Sequence, residues 1–142
     1  MSNKHPLTKR RFVFGAALSA LAALSIGTPQ MAEARTVAFS EASYKRLLAS
    51  GKPFMLGVHA SWCSTCARQK RVINALKQTG NPYKGITIVE MDWDKYRGSA
   101  LAKQLNIPRR STLIMYNGGK EVDRIVAATG KSRIKRLIDA AY

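Results

Sequence analysis

The seven-residue run F-M-L-G-V-H-A, from Phe54 to Ala60, leads without a break into S-W-C-S-T-C-A-R-Q-K-R. That junction constrains the fold more than any other part of the chain. A mostly apolar run bounded by turn residues suits a strand buried on both faces, as in a sheet covered above and below by helices. The period then changes. From Cys63 to about Lys77, Cys66, Val72, Ile73 and Leu76 recur at helical spacing, with Arg68, Lys70, Arg71 and Lys77 mainly outward.

The flanking sequence continues the alternation. Thr36 to Phe39 reads as a short strand and Ser40 to Ser50 as a helix with Tyr44, Leu47 and Leu48 on one face, ended by Gly51-Lys52-Pro53. After a break at Gly80-Asn81-Pro82, Ile86 to Met91 is a strand and Ser99 to Leu105 a short helix. Ser111 to Tyr116 and Glu121 to Val126 form a hairpin across Asn117-Gly118-Gly119. A closing helix carries Ile134, Leu137, Ile138 and Ala141 at spacings of three and four. The order β-α-β-α-β-α-β-β-α predicts an α/β fold, a central mixed sheet flanked by helices on both faces. The chain shows no repeats and no low-complexity segment, and its 142 residues have room for one compact domain.

Residues 1–34 read as an address. Lys4, Lys9, Arg10 and Arg11 give a basic start, Phe12 to Gly27 is an apolar run rich in Ala and Leu, and Ala32-Glu33-Ala34 has the small-x-small form of a signal-peptidase site. Cleavage is expected after Ala34, leaving residues 35–142 as the domain. The string T-K-R-R-F-V-F resembles the twin-arginine export signal, which is favoured over a Sec signal. The apolar run has 16 residues, short of the ~20 a membrane anchor needs. Either route predicts a periplasmic or otherwise exported protein.

All but four of the 24 Lys and Arg, and all but one of the 8 Asp and Glu, lie beyond residue 34, so the excess of 13 cations belongs to the domain. Such a charge favours acidic partners or a solvated basic surface. Nucleic acid is a poor candidate, because no nucleic-acid-binding motif is present and an exported protein meets little of it.

The chain has two cysteines, Cys63 and Cys66, too few for a disulfide framework. A bridge between residues three apart closes so short a loop that it constrains the unfolded chain little, which argues against a structural staple. The junction offers another use. At the first turn of a helix, unpaired N–H groups and the positive end of the dipole stabilise an anion such as the Cys63 thiolate. Cys66 lies on the same face, its Cα roughly 5–6 Å away and within bridging range. Thiol–disulfide exchange needs this pair: one accessible thiolate to attack and a second thiol close enough to resolve.

Taken with M-D-W-D closing the next strand, S-T-L-I-M-Y before N-G-G and the amphipathic closing helix, A-S-W-C-S-T-C resembles the thioredoxin family across the mature chain. The resemblance implies a thioredoxin fold and a thiol–disulfide oxidoreductase without a dissociable cofactor. It makes Cys63 the nucleophile, Cys66 the resolving thiol and Trp62 the aromatic flank of the site. Protein thiols or disulfides would be the substrates, with a membrane redox partner if the protein works as a reductant, and the chain would act as a monomer.

Three departures accompany the match. The family places an acid in the buried strand, six positions before the first cysteine, and a lysine facing it; here those positions hold Gly57 and Glu90. A Glu90 carboxylate is expected to occupy much of the same space and act as general base, its pKa raised by burial, unless it sits solvated and idle at a strand end. The third departure is Ser111 where the family has a cis-proline, Pro108 being three residues too early. A cis bond before Ser111 would cost about 3 kcal/mol over trans, so a trans or strained link is expected. Arg110, Ser111 and Thr112 would then line the substrate-docking position, and Arg109 and Arg110 would favour an acidic peptide, or remain surface charges.

His59 adds a competing use for the thiols. H-x-x-x-C-x-x-C supplies His59, Cys63 and Cys66 as ligands for zinc or copper(I), so a metal-binding chaperone is the alternative function. With no fourth ligand in view, His59 is read first as a structural or site-lining residue.

Overall fold

The computed structural model describes residues 35–142, together with Met1. The expected export segment, residues 1–34, lies outside the described residues apart from Met1.

The elements are β1 (Thr36–Ala38), α1 (Glu41–Ser50), β2 (Phe54–His59), α2 (Ser64–Lys77), a 3-10 turn (Tyr83–Gly85), β3 (Thr87–Asp92), α3 (Trp93–Tyr96), α4 (Ala100–Gln104), β4 (Thr112–Asn117), β5 (Lys120–Val126) and α5 (Lys131–Asp139). The expected order holds, with α3 as an addition. It starts where Asp92 Oδ1 accepts from the backbone N–H groups of Asp94 and Lys95, an N-cap that satisfies donors a helix start would leave unpaired. Ser40 and Ser99 cap α1 and α4 in the same way.

The sheet runs β1-β3-β2-β4-β5. β3 is parallel to both β1 and β2, while β4 is antiparallel to β2 and to β5. Strand β2 is therefore central, and its register sets Gly57 beside Glu90 of β3 and Val58 beside Thr112 of β4. The rims differ from the centre: β1 has three residues, and β5 is mostly exposed and carries Lys120, Glu121, Asp123 and Arg124.

Successive β2 side chains point to opposite faces, so its apolar run feeds two cores. On one face Met55 packs with Ile88, Leu113 and Met115 beneath Ile73 and Leu76 of α2 and Ile134, Leu137 and Ile138 of α5. On the other, Phe54, Leu56 and Val58 join Ile114 and Tyr116 under Tyr44 of α1, with Trp93, Tyr96 and Leu101 of α3 and α4 packed alongside. Phe54 stacks on Tyr116 at 4.7 Å between ring centroids.

The β4–β5 turn uses Gly118 and Gly119 at φ 58° and 74°, the left-handed pair that a two-residue hairpin requires. It is also pressed against α1. Gly118 N–H donates to Gly51 O, and a Cβ on Gly119 would stand 2.8 Å from Leu48 O.

Candidate functional site

The β2-to-α2 junction behaves as its sequence predicts. Cys63 is the N-cap of α2 in extended conformation, and its Sγ accepts from the Cys66 N–H at 3.1 Å. The Cys63 sulfur thus takes the place of the Ser or Asp oxygen that ordinarily satisfies a helix's first N–H groups. Cys66 follows one turn on, 5.3 Å away between Cα atoms, and the two are joined as a disulfide. Both cysteines are buried under Ala60 and Trp93.

Ser111 closes the site from the β4 side. The peptide before it is trans, the one cis bond among the described residues being Asn81–Pro82, and Ser111 takes φ 63°. The expected trans link is therefore present, and the departure from ordinary geometry falls on φ. Positive φ is unfavourable for a serine and persists only when its surroundings over-determine it. They do so here: Ser111 N–H donates to Val58 O at 2.8 Å, and Ser111 O accepts from Ala127 N–H at 2.9 Å and from Gln69 Nε2 at 3.0 Å. Thr112, also buried, turns its hydroxyl to Arg109 O at 2.7 Å.

Gln69 is a site residue that the sequence reading missed. It takes an inward position on α2 with Cys66, Ile73 and Leu76, while Val72 is only half-buried. Its Nε2 also donates to Ala128 O at 3.0 Å, so one amide ties α2 to the loops on both sides of the β4–β5 hairpin. The signal available was the 66-69-73-76 spacing, in which a polar Gln takes one of the inward positions.

Trp62 flanks the pair and is 59% exposed. Asp94 Oδ2 accepts from its Nε1 at 2.8 Å, and the Arg110 guanidinium lies 4.3 Å from its ring centroid. Arg110 is thus committed to the indole in a cation–π contact, while Arg109 is exposed. Asp94, the last letter of M-D-W-D, had carried no predicted role.

Behind the pair, on the α2 face of the sheet, lies a cleft of about 290 Å³ lined by Cys63, Cys66, Gly57, Glu90, Lys70 and His59, among others. Gly57 leaves it open, since a Cβ there would meet only Leu113 at 3.5 Å and Ile88 at 3.9 Å. Glu90 projects into it with 26% of its side chain exposed, bridged to Lys70 Nζ at 3.0 Å and with His59 Nε2 at 3.9 Å. Glu90 therefore does reach the space beside Gly57, as a wetted and paired carboxylate. Burial lowers the Lys77 ammonium's pKa along the same wall, partly countered by Glu90. Among the described residues, no group of three or more His, Cys, Asp or Glu side chains is gathered as a metal-ligand set.

A dithiol–disulfide pair at the N-cap of a helix, delivered by the central strand of a mixed sheet with helices on both faces, defines the class of this molecule. Residues 35–140 match the Thioredoxin family model, and the chain belongs to the thioredoxin family. It is 30% identical over 115 residues to thioredoxin Y1, chloroplastic, of Arabidopsis thaliana, spanning 80% of this chain but only 63% of that one. With thioredoxin-2 of Saccharomyces cerevisiae it shares 32% identity over 70% of this chain and 90% of the relative. The crystal structure of Trxlp from Edwardsiella tarda superposes with a TM-score of 0.66 at 28% identity, over 73% of this chain and 98% of that one.

Proposed function

We propose that this chain is an exported thiol–disulfide oxidoreductase that exchanges disulfides with protein substrates through Cys63 and Cys66. The observation that carries the reading is the Cys63 Sγ at the N-cap of α2, accepting from the Cys66 N–H with the second sulfur bonded to it. In the reducing direction the Cys63 thiolate attacks a substrate disulfide; a mixed disulfide forms and one substrate sulfur leaves as a thiolate. Cys66 then loses its proton and attacks Cys63 Sγ. The Cys63–Cys66 bond closes, the second substrate thiolate leaves, and two electrons have passed to the substrate. The oxidising direction is the reverse. The basic domain and the helix-terminal thiolate both favour the reduced form, which leans toward oxidation.

Glu90 is assigned as the acceptor of the Cys66 proton, through solvent in the cleft that both residues line. Glu90→Gln is expected to slow release of substrate from a trapped mixed disulfide by about tenfold, less than the ~100-fold of a general base in direct contact because the proton passes through solvent. Release at the wild-type rate would remove the role.

Trp62 and Arg110, stacked on each other, form the docking rim above the buried Ser111 and Thr112, and the exposed Arg109 beside them favours acidic peptide segments. The protein acts as a monomer, with a membrane redox partner supplying electrons if it reduces. Its thiolate should declare itself on alkylation: the Cys63 midpoint is expected clearly below the ~8.5 of a free thiol. A midpoint at that value would remove the helix-terminus account. Dithiothreitol-driven reduction of insulin and reshuffling of a scrambled-disulfide substrate test the function; Cys63-dependent turnover in at least one is expected, and none in either would overturn it.

A further inference from the structure

We infer that the Ser111 hydroxyl is a shared donor to the two sulfurs, holding the Cys63 thiolate during attack and the Cys66 thiolate during resolution. The inference rests on the exchange reaction proposed above. Ser111 Oγ lies 3.1 Å from Cys63 Sγ and 3.1 Å from Cys66 Sγ, and the residue is 0% exposed. Neither sulfur of the disulfide carries a proton, so the hydroxyl is the donor in both contacts. Among the described residues these sulfurs are its only side-chain hydrogen-bond partners.

A disulfide sulfur is a weak acceptor and a thiolate a strong one, because a hydrogen bond gains strength when its acceptor is ionised. The same hydroxyl therefore contributes little to the oxidised protein and much to the reduced one. It lowers the Cys63 pKa and makes the couple more oxidising. Its equidistance gives it a second use. When Cys63 enters the mixed disulfide, its sulfur ceases to be an anion and Cys66 becomes one. A hydroxyl hydrogen reorients by rotation alone, so the donor passes from the first sulfur to the second while the heavy atoms stay in place. Ser111 keeps its proton throughout; the Cys66 proton leaves through the cleft, and the electron pairs move only between sulfurs.

The backbone explains how a serine comes to stand there. The three hydrogen bonds to Val58, Ala127 and Gln69 hold φ at 63° and aim the side chain at the sulfurs. A proline could neither adopt that φ nor donate to Val58 O. The loop is thus built for a residue with an N–H.

The experiment compares full-length wild type with Ser111→Ala and Ser111→Gly. Both variants lose the hydroxyl, but glycine also relieves the positive φ, so the glycine variant folds even if alanine does not. Redox equilibrium against glutathione, the pH profile of Cys63 alkylation and thermal unfolding of the oxidised form are measured for each. The loss of a hydrogen bond to a charged acceptor predicts an equilibrium shifted about tenfold toward the disulfide, about 30 mV. The alkylation midpoint is expected to rise by about one unit in step. Equal shifts in every variant that folds, whatever its unfolding temperature, support the hydroxyl. Unchanged equilibrium and midpoint, or a shift that appears in alanine and vanishes in glycine, overturn it. Wild type inactive in both exchange assays would instead strike the proposed function while leaving this comparison readable.

Discussion

Cys63→Ser is expected to abolish exchange with both insulin and scrambled-disulfide substrates, while Cys66→Ser carries out the first half of the reaction and stops there. The asymmetry follows from position. Only the Cys63 sulfur is the N-cap atom of α2, facing the Cys66 N–H and the positive helix end, where a thiolate is stabilised. A serine hydroxyl will cap the helix as well as the sulfur did, so Cys63→Ser should keep its fold and lose its chemistry. Cys66→Ser retains the attacking thiolate but has nothing to displace the substrate, and mixed disulfide should accumulate on Cys63. Non-reducing mass measurement after brief exposure to substrate separates the two variants. A Cys63→Ser protein that still forms adducts through Cys66, at a rate near wild type, would reverse the assignment of nucleophile.

The largest stability effect in the site is expected from Gln69→Leu. The substitution preserves volume on the buried face of α2 but removes two hydrogen bonds, to Ser111 O and to Ala128 O. Ser111 O keeps the Ala127 N–H; Ala128 O is left to solvent. Ala128 is only half-buried, so the loss is that of two ordinary hydrogen bonds at about 1 kcal/mol each, about 2 kcal/mol in all. In a domain of this size that corresponds to a melting temperature lower by roughly 8–16 °C. The site should register it too, because the amide is one of three restraints on Ser111. The alkylation midpoint of Cys63 should move in the direction of Ser111→Ala. A stable Gln69→Leu with wild-type alkylation would show that Val58 and Ala127 suffice to hold the serine.

The features legible in the sequence were those set by local period. F-M-L-G-V-H-A needed cover on both faces and found it, and the three-residue spacing put Cys63 and Cys66 on one side of a helix at bridging distance. Counting back from M-D-W-D set Glu90 opposite Gly57, and β2 and β3 pair in that register. Features that depend on distant partners were hidden. Gln69 is inward because carbonyls of Ser111 and Ala128 await it, and these are 42 and 59 residues away in sequence. The charge of Arg110 was readable, but its commitment to Trp62 depends on Asp94 turning the indole. Ser111 was recognised as the residue that replaces a proline. Its positive φ was not, since serine has no marked preference for that region and the three restraints come from three other segments. The short helix α3 was within reach: Asp92 before Trp93-Asp94 is an N-cap signal, overlooked because the helix is a single turn.

The two rims of the sheet govern what the molecule avoids. An unpaired strand edge invites another chain to extend the sheet, and proteins blunt the hazard with brevity and charge. Here β1 offers three residues, and β5 carries four charged side chains, Lys120, Glu121, Asp123 and Arg124, along its length. Self-association by sheet extension is disfavoured at both ends. The sulfur pair lies away from both rims, at the end of the central strand β2.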